Sequence, residues 1–249
     1  MCSMGSEFVV QVYGIVDDSP DLPVLIIMEL MHESLHDAYS SVPPPSLRQR
    51  VVWLLQAAKG IAFLHAAGVI HRDIKPSNML LSSPATGRCL KMCDFGLSKS
   101  LSDITASSMR STAPGARAAG NVGTVHYMAP ELFKMRPEYS LASDVYAFGF
   151  VSWEIISMKQ PYKESPDYDC IKQGVKDGER EYFASEFPPA LQDMIERAWA
   201  QVKPPALQPL SAYFCLRRTP SSALPSMSAC ATWSSSLSSL HQTYQSTQA

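Results

Sequence analysis

Three clusters of residues restrict this chain more than anything else in it. His71-Arg72-Asp73-Ile74-Lys75-Pro76-Ser77-Asn78 is followed by Asp94-Phe95-Gly96 and then by Ala129-Pro130-Glu131. Either triplet arises readily by chance, but the eight-residue run is specific by itself, and the fixed order of all three makes coincidence a poor account.

The surrounding pattern supplies a scaffold. Residues 8–16 and 24–30 are β-rich apolar runs separated by the turn-forming Asp-Asp-Ser-Pro-Asp-Leu-Pro, which predicts a hairpin. After Pro43-Pro44-Pro45, helical spacing of Val51, Leu54, Ala58, Ile61 and His65 predicts a long buried helix over 47–67, capped by Ser46 and stopped at Gly68. Two more helices are expected over 140–158 and 189–200. From Pro204 onward the only charged residues are Arg217 and Arg218 and serine becomes frequent, so residues 204–249 are expected to be a disordered tail.

The ordered motifs resemble those of eukaryotic Ser/Thr protein kinases, in the tyrosine-kinase-like group: a catalytic loop, a metal-binding triplet and the end of an activation segment. The resemblance covers about residues 6–203. It implies an α+β, protein-kinase-like fold, with a remnant of the small β lobe and hinge over 1–42 and the helical lobe over 43–203. It also implies ATP and Mg²⁺ as cofactors, a protein substrate offering Ser or Thr, and a place in signal transduction. Lys75 two places after Asp73, together with Thr124, resembles the Ser/Thr-directed pattern rather than the tyrosine-directed one.

Phosphoryl transfer asks for positioned charge more than for covalent help, which explains the residue types. By resemblance, Asp73 orients the substrate hydroxyl and accepts its proton, Lys75 neutralises charge on the transferred phosphate, and Asn78 and Asp94 hold Mg²⁺. Ile27-Met28-Glu29-Leu30-Met31 resembles the hinge, with Met28 as gatekeeper, Glu29 and Met31 offering backbone groups to adenine, and Leu80 as the apolar floor; the same run also reads as a plain strand end. His71 and Phe95 are implied to be structural core positions, Asp144 a brace for the catalytic loop. Residues 97–122 are implied to be an activation loop, either one whose phosphorylated Ser or Thr pairs with Arg72 or an unmodified flexible loop.

The sequence also departs from the family. It contains no G-x-G-x-x-G, and its first lysine, Lys59, lies in the expected long helix, so the Gly-rich loop, the strand lysine and its Glu partner are not supplied. After Trp199 the expected Arg-Pro is replaced by a run ending Gln208-Pro209, which predicts that Glu131 lacks its usual partner and that the helical lobe is poorly stable. These departures raise a competing expectation: a fragmentary or alternatively spliced product, acting as a pseudokinase-like interaction module.

Charge and cysteine content exclude other classes. A net charge of −2 with no basic stripe argues against nucleic-acid binding. The six cysteines show no C-x-x-C spacing, so free thiols and a cytoplasmic location are expected. The first basic residue is Arg48 and the apolar run 145–156 is too short to cross a bilayer, so no leader and no membrane partner are expected. Oligomeric state is left open by the sequence.

Overall fold

The computed structural model describes residues 6–17, 25–94, 98–100, 122–135, 137–165, 167–185 and 187–200. Phe95, Gly96, the greater part of the expected activation loop, Gln208-Pro209 and the tail lie outside the described residues, as do the side chains of Ser100 and Thr124.

The expected hairpin is present but shorter, as β1 (Val12–Val16) antiparallel to β2 (Leu25–Met28), with an irregularity between Val12 and Gly14. The residues before it take another partner. Phe8 and Val10 exchange backbone hydrogen bonds with Met92, so the segment expected to begin the first strand instead lies along the strand Leu90–Met92. That approach needs Gly60, where a Cβ would sit 2.7 Å from the Phe8 carbonyl oxygen.

A second, three-stranded antiparallel sheet orders β3 (Glu33–Ser34), β5 (Met79–Leu81) and β6 (Leu90–Met92) with β5 in the middle. A short ladder joins β4 (Val69–Ile70) to β7 (Lys99–Ser100). A single helical turn, α1 (Leu35–Ala38), follows β3 and is closed by a reciprocal cap between Ser34 and Asp37.

The long helix α2 spans Leu47–Ala66. Ser46 Oγ accepts from the Gln49 N–H, and the chain leaves the helix at Gly68, whose φ of 72° suits glycine. One face buries Trp53, Leu54, Ala57, Ala58, Ile61, Leu64 and His65 against β6 and the next long helix. That helix, α3 (Leu141–Ser157), is buried at nearly every position, as an apolar helix at the centre of a core must be. Its entry is fixed by a reciprocal cap in which Ser140 and Ser143 each accept the other's N–H.

The remaining helices, α4 (Tyr168–Asp177) and α5 (Pro189–Ala198), are amphipathic. Trp199, just past α5, stacks on Phe150 of α3 with ring centroids 4.8 Å apart. Arg180 donates from Nε and Nη2 to the Trp199 carbonyl, at 3.0 and 2.8 Å, which satisfies a helix-end acceptor. Among the described residues no helix is long and apolar enough to cross a membrane.

Candidate active site

Asp144, in the first turn of α3 and 2% exposed, organises the motif residues. Its Oδ2 accepts the His71 N–H at 2.8 Å and meets His65 Nε2 at 3.0 Å, while its Oδ1 accepts the Arg72 N–H at 2.9 Å. The demand for such a brace is local. Arg72 has φ 73°, a left-handed conformation costing a non-glycine residue about 1–3 kcal/mol, so the loop requires fixed partners on both sides of the turn. The brace expected at Asp144 is therefore present, and His65 is a member of it that helical periodicity alone marked only as core.

His71 is fully buried and joins two loops. Its Nδ1 accepts the Asp73 N–H at 3.3 Å and its Nε2 faces the Cys93 carbonyl at 3.0 Å, a pair of contacts that only the Nε2–H tautomer satisfies. Both nitrogens serve backbone groups, in keeping with a structural rather than a metal-binding imidazole.

Three predicted residues converge immediately beyond. Lys75 Nζ lies 2.6 Å from Asp73 Oδ2. Asn78 Nδ2 donates to the same Oδ2 and to the Asp73 carbonyl, both at 2.8 Å. Asp73 and Asn78 are buried and Lys75 half-buried, so one carboxylate oxygen is held by an ammonium and an amide in a largely water-excluded place. A single 3₁₀ turn, Pro76–Asn78, sets the reach, with the Asn78 N–H donating to the Lys75 carbonyl. Asn78 leads directly into β5, and its carbonyl accepts the Cys93 N–H at 3.0 Å, which ties it to the end of β6. Asp94 follows Cys93 at φ 61° and is exposed. Burial pushes the neighbouring Cys93 thiol up to about 12, so it stays a neutral core residue.

The run 27–31, expected to be the hinge, lies at the end of β2. The Glu29 N–H donates to the Gln11 carbonyl, whereas neither the Glu29 carbonyl nor the Met31 N–H has a hydrogen-bond partner among the described residues. The Glu29 side chain has a role that sequence reading missed: its two oxygens take Lys91 Nζ at 2.8 Å each, and Oε1 also accepts the Gln11 N–H at 2.7 Å. Met28 is 44% exposed and Leu80, opposite Lys91 in the β5–β6 register, is half-buried.

Glu131 is half-buried and makes no ion pair among the described residues. A second unforeseen cluster lies nearby in sequence. Tyr127 donates to Glu154 Oε2 at 2.7 Å, and Glu154 is 1% exposed on α3. Burial pushes the Glu154 carboxyl up to about 7, with the Tyr127 hydrogen bond opposing the shift, and burial also raises the Tyr127 phenol.

A family model described as protein tyrosine and serine/threonine kinase matches residues 1–205. A probable serine/threonine-protein kinase of Dictyostelium discoideum is 35% identical over 167 residues, covering 67% of this chain and 11% of the relative. Mitogen-activated protein kinase kinase kinase 7 of Drosophila melanogaster is 33% identical over 175 residues, 69% of this chain and 23% of the relative. The human protein of that name is 32% identical over 197 residues, 75% and 29% respectively. The chain thus spans between about a tenth and three tenths of the length of these curated relatives.

Proposed function

Because the chain belongs to the protein tyrosine and serine/threonine kinase family, we propose that it transfers a phosphoryl group from ATP to Ser or Thr hydroxyls of protein substrates. The observation that carries this reading is the convergence of Lys75 and Asn78 on one oxygen of Asp73. That oxygen is fixed, which leaves the other carboxylate oxygen to meet an incoming hydroxyl and take its proton. Lys75, already at the carboxylate, is placed to neutralise charge that builds on the transferred group.

The residues present fit Mg²⁺. Asn78 uses its amide nitrogen on Asp73 and so directs its amide oxygen elsewhere, and the Asp94 carboxylate is exposed one residue after Cys93, whose N–H binds the Asn78 carbonyl. Two hard oxygen donors from adjacent strand ends suit a magnesium ion that is otherwise held by water and phosphate. When bound, it supplies charge neutralisation for the phosphates. The Glu29 carbonyl and the Met31 N–H, one acceptor and one donor without hydrogen-bond partners among the described residues, match the two edges an adenine presents, with Met28 and Leu80 as apolar neighbours. Arg72, whose guanidinium stacks on Tyr139 at 4.7 Å, is the cation we assign to a phosphorylated activation loop.

The test is Mg²⁺-dependent transfer of labelled phosphate to a generic Ser/Thr protein substrate, with Asp73→Asn as the control. The reading expects transfer by the wild-type chain and a loss of about 10²–10⁴-fold in the variant. Nucleotide binding without transfer in the wild type would instead assign these residues to an interaction module.

A further inference from the structure

Lys91 sits on the face of the β5–β6 sheet that the proposed function gives to adenine. It is the cross-strand partner of Leu80, so the two side chains leave the same face, while Met79, Leu81, Leu90 and Met92 take the opposite face and are fully buried. A lysine side chain only 19% exposed needs an anion. It has one in Glu29, whose two carboxylate oxygens each lie 2.8 Å from Lys91 Nζ.

Glu29 opens the run that carries the free adenine-matching groups. Its N–H donates to the Gln11 carbonyl at 2.9 Å and its Oε1 accepts the Gln11 N–H at 2.7 Å, which fastens it to the segment entering β1. At the other end of the run the His32 N–H donates to the Leu81 carbonyl at 2.9 Å. Residues 29–32 therefore arch from β2 to β5, with Leu30 97% exposed between the fastenings. Among the described residues, the hydrogen bonds that fix the Glu29 side chain to the β5–β6 sheet are those of Lys91.

We propose that Lys91 is a positioning residue for nucleotide binding: by holding the Glu29 carboxylate it fixes the Glu29 carbonyl and the Met31 N–H relative to Leu80. The proposal rests on the ATP reading and adds to it a residue that acts through Glu29 rather than on the ligand. Without the lysine, a partly buried carboxylate is left without its cation and turns toward water, drawing its own backbone out of place. The same strand runs on from Lys91 through Met92 and Cys93 to Asp94, so one strand serves as the reference for both the adenine contacts and the proposed Mg²⁺ ligand.

Isothermal titration of adenosine and of ADP, without metal, into the whole 249-residue chain tests this. Lys91→Met is expected to weaken both ligands about tenfold, roughly the worth of one hydrogen bond to the base. Lys91→Arg keeps a cation for the carboxylate and should restore both to within about twofold. Glu29→Gln leaves the backbone groups in place and is expected to weaken both ligands as Lys91→Met does, with no further loss when the two substitutions are combined. Circular dichroism melts establish folding, and Glu29→Gln carries the test alone if Lys91→Met does not fold. A loss confined to ADP, or a further loss in the double variant, would show Lys91 acting on the ligand itself and overturn the proposal. Wild-type affinity in Lys91→Met or in Glu29→Gln would overturn it equally, as would an Arg variant as weak as the Met variant. A wild-type chain that binds neither ligand overturns the ATP reading, and this proposal with it.

Discussion

Glu154 gives the structure a measurable pH signature. Its carboxyl is 1% exposed, accepts one hydrogen bond from Tyr127, and is raised by burial from 4.5 to about 7. Tyr39, the other titratable group whose charge interacts with it, brings no cation. The folded protein therefore binds a proton here that the unfolded chain releases, and stability rises as pH falls through about 7 and levels off near 4.5. A gap of that size corresponds to about 3 kcal/mol between the two plateaus at 1.36 kcal/mol per pKa unit, of which roughly 2–3 kcal/mol appears between pH 8 and pH 5. Glu154→Gln keeps an oxygen for the Tyr127 hydroxyl and removes the titration. Urea melts of wild type and variant at a series of pH values isolate the group, because all other titrations cancel in the difference. The variant should be the more stable protein at pH 8, with the advantage shrinking by roughly 2–3 kcal/mol at pH 5. A difference that stays constant within about 0.5 kcal/mol would refute the reasoning, since it would mean that Glu154 is solvated or paired in a way its burial does not express.

Asp144→Asn turns an amide nitrogen against either the His71 or the Arg72 N–H, and is expected to cost roughly 2–4 kcal/mol, read as a melting temperature lower by about 5–15 °C; an unchanged melt would contradict the bracing role. Gly60→Ala sets a Cβ 2.7 Å from the Phe8 carbonyl, a backbone atom that moves only with its segment, so a loss of about 1–3 kcal/mol is expected together with faster amide exchange at Val10 and Met92. Preserved exchange protection there would contradict the close approach of the Phe8 backbone to Gly60. Asp94→Asn removes the exposed carboxylate of the proposed Mg²⁺ pair, and ATP affinity measured with and without Mg²⁺ should lose its metal dependence while adenine binding persists. An unaltered Mg²⁺ dependence would move the metal away from Asp94.

Much of this was legible in the sequence, for physical reasons that differ from residue to residue. Helix α2 announced itself through apolar periodicity and through Ser46 and Gly68 at its ends, and the boundaries read from them differ from the structure by a single residue. Asp73, Lys75 and Asn78 were marked together by resemblance alone, and the structure brings the other two side chains to one oxygen of Asp73. What escaped were long-range polar contacts. His65 sits on the apolar face of α2 and looks like core until Asp144, 79 residues on, is folded against it. Lys91 alternates correctly in β6, but its partner Glu29 lies 62 residues earlier, and no local pattern links them. Tyr127 and Glu154 belong to different elements in the same way. Residues 8–10 misled the strand reading because a β-rich run specifies an extended backbone without specifying which neighbour supplies the hydrogen bonds, and here Met92 does.

The position of Asp144 also bears on time. Helix α3, which carries it, is the most enclosed element of the described chain, and elements so enclosed open only with the whole fold. The N–H groups of His71 and Arg72 end on that helix, so the loop bearing Asp73 borrows the core's lifetime although it carries a left-handed residue, Arg72, of its own. A loop anchored in this manner does not fluctuate independently of the core, and its geometry is set before any substrate arrives.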